Sequence, residues 1–114
     1  MLFRQEQIDF SASSEKYIEK PFDGPVEIML LFYFSRPKSH YGTGRYKDTL
    51  KGNSPIWYTK RKDLDNLVKF VLDSLNGQAY FDDSQIVSIH AYKFYTCNEP
   101  RVQVRLRKVD GPPS

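Results

Sequence analysis

The chain is poor in the residues that most often announce a chemistry. Of its 114 residues one is cysteine, Cys97, and two are histidine, His40 and His90. A lone cysteine excludes an intramolecular disulfide and fits a reducing compartment. It reads as a small, partly buried apolar side chain. The histidines stand apart, one in a strand pattern and one in a basic loop, and read as surface or hydrogen-bonded residues rather than catalytic bases. Glycine is sparse too. Gly42-Thr43-Gly44 lacks the third glycine and following helix of a dinucleotide loop, and there is no Gly-Lys-Ser/Thr, so no nucleotide cofactor is expected. Nucleophile arrangements of the Ser–His–Asp or Cys–His kind have no recognisable spacing. No run approaches the roughly 18 to 20 apolar residues of a membrane span, and the N-terminus lacks a secretory-signal layout. The expectation is a soluble, cytoplasmic protein with no membrane partner. Repeats and low-complexity tracts are absent.

What is present is one domain's worth of chain, 1–114, with 39% apolar residues and a size at which a partner subunit is a natural supplement. The formal charge of +3 is too small to argue for nucleic acid by itself. Its distribution is more telling. Between Arg36 and Lys62 eight Lys or Arg meet a single acid, Asp48, so this stretch carries the whole positive excess and the remainder is net acidic.

Residues 1–24 alternate poorly, and 13–20 read as a short helix ended by Pro21. After Gly24-Pro25, residues 26–34 are apolar on both parities and predict a central strand. From Ser35 to Lys60 periodicity disappears; this long loop interleaves cations with Tyr41, Tyr46, Trp57 and Tyr58, which suits either a nucleic-acid strand or local packing. Leu64, Leu67, Val68, Val71, Leu72 and Leu75 then form the apolar stripe of a helix that stops at Asn76-Gly77. Residues 78–82 are a turn and 84–95 a strand, with Val87, Ile89 and Ala91 on one face. Arg101–Lys108 alternates strictly, Val102, Val104 and Leu106 inward and Arg101, Gln103, Arg105 and Arg107 outward. Residues 109–114 read as a flexible tail. The fold class is α+β: a small mixed β-sheet with a helix packed on one face.

The densest chemistry lies at the mouth of that helix. Lys60, Arg61 and Lys62 run into Asp63 and Asp65, a pattern that offers cations to a phosphodiester and carboxylates to a divalent metal. Asp63 and Asp65 could equally cap the helix. A calcium loop is excluded, because its positions 5, 6 and 12 would be Leu67, Val68 and Ser74. Magnesium suits such hard oxygen ligands better, with a third carboxylate from Asp82 or Asp83. A helix of about 12 residues is roughly 18 Å long, so residues 78–82, which extend about 17 Å at most, would have to run back along it. Lys69 lies one turn beyond Asp65 on the same face. There it either makes an ordinary i, i+4 ion pair or neutralises charge building on phosphorus.

The blocks Lys62-Asp63-Leu64-Asp65-Asn66-Leu67 with Lys69, Leu72-Asp73-Ser74-Leu75-Asn76-Gly77, and Asp82-Asp83-Ser84-Gln85-Ile86-Val87 resemble, in order and spacing, the RusA family of Holliday-junction resolvases. The resemblance covers about 26–108. It implies a RusA-like homodimeric fold and a Mg2+-dependent endodeoxyribonuclease, with Mn2+ as a substitute metal. Such an enzyme resolves four-way DNA junctions by paired symmetric nicks in recombination and repair. Carried over by motif position, Asp63, Asp65 and Asp83 are metal-binding catalytic carboxylates, Lys69 is the lysine beside them, Asp82 is the weaker member of its pair, and Asp73 is a supporting surface residue. Arg45, Lys47, Lys51, Lys60, Arg61 and Lys62 would hold the DNA backbone. Family members begin with a strand, a polar loop and a helix, whereas here 1–24 form an atypical or shortened segment in which that first strand has no clear counterpart. The alternatives are a non-catalytic protein that binds branched DNA, and a nuclease for flaps or single strands.

Overall fold

The computed structural model describes residues 5–10, as backbone, and 20–109. Its centre is β2 (Val26–Ser35). Val26, Ile28, Leu30 and Phe32 are buried on one face, and Leu31 is buried on the other, which is why both parities of the strand read as apolar. β2 pairs parallel with β3 (Ile86–Thr96) and antiparallel with β4 (Arg101–Lys108); β1 (Gln5–Phe10) adds antiparallel to β4, giving the order β1-β4-β2-β3. The fold is α+β, a small mixed sheet with one helix, α1 (Leu64–Leu75), on one face.

β1 corrects the expectation that the first strand has no counterpart. Ile8 stands opposite Val104 and Phe10 opposite Val102 in its register. An edge strand carrying only these two strongly apolar residues has too short a period-2 pattern to stand out. The short helix read over 13–20 lies, apart from Lys20, outside the described residues.

α1 packs Val71 and Leu75 into the core, flanked by Leu64, Leu67, Val68 and Leu72. It ends as its sequence indicates: Gly77 takes a left-handed φ of 82°, a conformation that costs glycine little. The turn is tight. The Gly77 amide donates to the Tyr80 carbonyl (2.8 Å) and the Tyr80 hydroxyl donates to the Leu72 carbonyl (2.7 Å). Phe22 closes this end of the core, its amide donating to the Ala79 carbonyl at 2.8 Å.

The returning strand therefore starts beside the end of α1 and runs back beneath it. At its far end the Lys93 ammonium donates to the Lys62 carbonyl, just ahead of α1, at 2.7 Å. α1 and β3 are antiparallel, as a helical crossover between the parallel strands β2 and β3 requires. β3 begins at Ile86 because Asp83–Gln85 form a 3-10 turn. A register shift then separates the pair Val26–Ile86 from Glu27–Ser88. That irregularity leaves Val87 62% exposed, whereas Ile86 and Ala91 pack against the core.

The loop before α1 is ordered by its own hydrogen bonds. Its hairpin-like part joins Gly42 to Thr49 and Lys51 to His40. Residues 56–58 then line the free edge of β3: the Tyr58 amide donates to the Lys93 carbonyl (3.0 Å) and the Tyr95 amide to the Ile56 carbonyl (2.9 Å). Tyr58 stacks on Phe34 with ring centroids 3.9 Å apart. Cys97, expected to be partly buried, is exposed, because it sits in the β3–β4 turn.

Candidate active site

Asp63 occupies the N-cap of α1, and its carbonyl accepts the Leu67 amide at 3.1 Å. Its carboxylate makes no capping bond. The capping role that would have explained Asp63 away is thus not taken up, and its side chain is exposed, as are those of Asp65 and Lys69. No ion pair joins Asp65 to Lys69; among the described residues the pairs are Glu27 with His90 and Arg107, and Asp23 with Lys108.

Asp82 and Asp83 divide their labour. The Asp82 carboxylate accepts the Ser84 amide at 3.1 Å, and Gln85 reciprocates by accepting the Asp82 amide at 2.9 Å, a complete capping box. The bond from Ser84 holds the Asp82 carboxyl below its ordinary range. Asp83, in the same turn, is exposed and takes no part in the box.

Within one chain these groups do not converge. Asp63 and Asp65 stand at the start of α1. Asp83 stands near its end, where together with Asp73 it adds to burial in raising the Tyr80 phenol. α1 spans about 18 Å, and the seven steps of β3 from Ile86 to Lys93 span about 23 Å. Among the described residues no three His, Cys, Asp or Glu side chains are grouped to hold a metal. The turn at 78–82 does not run back along the helix. One chain offers two hard oxygen donors at one end of α1 and a third at the other.

The basic residues belong to the loop that leads into α1 at Asp63. Arg45, Lys47, Lys51, Lys60, Arg61 and Lys62 are all exposed. Lys60 and Lys51 both act on His40, whose imidazole burial first, and then Arg36 and these two lysines, hold below its usual value. Arg45 instead donates to the Tyr46 hydroxyl at 2.7 Å.

Two positioning residues carry weaker sequence signals. Gln85 accepts the amides of Phe81 and Asp82 and donates to the carbonyls of Phe22 and Gly24, all within 2.7–2.9 Å. It fixes the turn bearing Asp83, and its place in the Asp82-Asp83-Ser84-Gln85 block is its only mark. Lys93, a charged residue on the α1 side of β3, holds the Lys62 carbonyl and lies 5.6 Å over the Tyr58 ring; nothing in the sequence singles it out.

Exposed cations thus run into exposed carboxylates at the mouth of α1, groups of the kind that phosphate esters and their counter-cations engage. The sequence comparison makes this specific: the family model described as Endodeoxyribonuclease RusA matches residues 5–107, and the chain belongs to that family of Holliday-junction resolvases. The match begins within β1, in keeping with the strand found there. The chain is 37% identical over 99 residues to "Uncharacterized protein YqaN" of Bacillus subtilis (strain 168), covering 87% of this chain and 68% of that protein. No solved structure matches it. No helix among the described residues is long and apolar enough to cross a membrane.

Proposed function

We propose that the protein is a homodimeric, Mg2+-dependent endonuclease that nicks four-way DNA junctions in pairs, as expected of its family. The observation that carries this reading is the uncapped Asp63 carboxylate, followed by exposed Asp65 in the first turn, at a helix start preceded by Lys60, Arg61 and Lys62. Two carboxylates suit a hard divalent cation but leave its shell incomplete. The third donor in this reading is Asp83 of the partner subunit.

The shape of α1 supports such a site. Phe70 lies at its midpoint and is 73% exposed; Phe81, in the turn after α1, and Val87 and Ile89, at the start of β3, are also exposed. A two-fold axis beside Phe70 would lay two copies of α1 antiparallel, bringing the start of each to the end of the other. Two equivalent sites result, each with Asp63 and Asp65 from one chain and Asp83 from its partner.

The cation would supply charge neutralisation at the scissile phosphate. The chain's own residues do the rest. Lys60, Arg61 and Lys62 draw in and align the backbone, and Lys93 fixes the segment that carries them. Lys69, one helical turn past Asp65, places its ammonium where charge grows on the phosphoryl and leaving oxygens. Two sites related by the two-fold axis give the paired nicks.

A labelled synthetic four-way junction tests this. Wild-type protein should nick it symmetrically with Mg2+ and not with EDTA. Asp65→Asn should still shift the junction in a gel while its nicking falls about a hundredfold or more. Nicking at the normal rate by that variant would remove Asp65 from the site, and a shift without Mg2+-dependent nicks from the wild type would leave a binding protein.

A further inference from the structure

The face of the sheet opposite α1 carries a row of stacked rings. Tyr33 and Phe94 are partners across β2 and β3, with centroids 5.6 Å apart and planes 27° apart. Trp57, bridged to Phe94 by the loop that lines β3, continues the row at 4.9 Å and 27°. At the other end the Arg101 guanidinium lies 4.1 Å over Tyr33. The row is thus closed by a cation at one end and ends in an exposed ring at the other, Trp57 being 54% exposed.

The surroundings of Trp57 say what suits that ring. It precedes Lys60, Arg61 and Lys62 by a few residues with no acid between them. Tyr58 and Lys62 are both tied to Lys93, so the chain from Trp57 to Lys62 is held along the edge of β3, with the ring on the face opposite α1 and no more than about 20 Å of chain from Asp63. A free aromatic face beside a run of cations matches a nucleotide whose base is unstacked and whose phosphates follow the lysines. A paired base has both faces occupied by its neighbours and offers no such surface.

We propose that Trp57 is a stacking site for an unpaired DNA base, with Lys60, Arg61 and Lys62 holding the adjoining phosphates. This deepens the nuclease reading by making a locally unpaired strand, as at a branch point, part of what is recognised. The proposal rests on that reading for its DNA substrate but not for any cleavage step.

Trp57 is the chain's sole tryptophan, so intrinsic fluorescence reports this ring alone. The full chain is titrated in EDTA with a short oligothymidylate and, separately, with a duplex of the same length, while the anisotropy of end-labelled DNA gives affinity. The single strand should quench Trp57 emission and the duplex should not. Trp57→Ala should weaken single-strand binding about tenfold, and Trp57→Phe should retain most of it; circular dichroism confirms that both variants are folded. Unquenched emission while the strand binds would overturn the proposal, and so would equal affinities for the Ala and Phe variants. An emission shift that follows protein concentration without DNA, matched by sedimentation, would put a second copy on this ring and overturn it too. The nuclease reading fails separately, through absent nicking of the four-way junction, whatever the single-strand titration shows.

Discussion

If each site draws Asp63 and Asp65 from one chain and Asp83 from its partner, two dead variants should repair one another. Asp65→Asn and Asp83→Asn are each inactive as homodimers, because every site lacks one ligand. In a heterodimer one site collects both substitutions and the other collects neither. Equal mixing makes about half of the dimers heterodimers with one intact site each, so about a quarter of wild-type sites return. The geometry makes the contrast sharp. A Mg2+ ion binds its ligands at about 2 Å, whereas α1 alone separates the two ends of one chain by about 18 Å, so a site within one chain cannot be assembled by side-chain rotation.

The assay uses the same labelled junction after the variants have been denatured and refolded together, with native mass spectrometry to count heterodimers. The products should be single nicks on one strand, since a heterodimer has one working site, and the nicked fraction should follow the heterodimer fraction as the mixing ratio is varied. Heterodimers that form in the expected number yet leave the junction intact would refute the shared site and place all three carboxylates in one chain.

Three further outcomes follow from the same structure. Phe70→Glu should convert the dimer to monomer in sedimentation and abolish nicking, while monomer stability changes by no more than about 0.5 kcal/mol, since the side chain is 73% exposed. Tyr80→Phe should cost about 1.5 kcal/mol, because it removes the 2.7 Å bond to the Leu72 carbonyl from a fully buried site, and should lower the melting temperature by roughly 5–10 °C. Glu27→Gln should cost about 1 kcal/mol near neutral pH, a modest figure because Arg107 is 43% exposed and the pair is partly screened. The Arg107 bond holds the Glu27 carboxyl below its ordinary value of 4.5. Its contribution is therefore complete above that value and lost as pH falls through the lowered one. Melting curves of the two proteins should converge in acid; a difference that persisted there would show that Glu27 acts through packing rather than charge.

Most of the architecture was legible because its signals are local. The period of Leu64, Leu67, Val71 and Leu75 fixes α1, Gly77 ends it, and the alternation of β4 sorts Val104 and Leu106 from Arg105 and Arg107. What escaped depended on partners distant in the chain. β1 is a strand because β4 offers it an edge. Val87 is exposed because a register shift between β2 and β3 displaces it. The family resemblance separated Asp83 from Asp82, but the capping geometry that occupies Asp82 is one that two adjacent aspartates cannot reveal by themselves. Local reading could likewise identify Asp63 as a natural cap but not that its carboxylate goes unused.

The arrangement of the carboxylates has a topological cause. Asp65 and Asp83 look close because fewer than twenty residues separate them. Those residues, however, are a helix and the turn that begins the next strand. Once β2 and β3 are parallel, the helix joining them must run against both. Groups before the helix then fall at one end of the sheet and groups before the returning strand at the other. No rearrangement of the turn at 78–82 changes this while Tyr80 remains bonded to Leu72 and Gln85 to Phe22 and Gly24. An antiparallel pairing of two such helices is the simplest operation that unites the ends, and it does so twice, with the two-fold symmetry that paired nicks on a four-way junction require. On this reasoning the dimer is part of the site itself, and a variant that weakens dimerisation should lose nicking in proportion to its monomer fraction while its binding to single-stranded DNA through Trp57 persists.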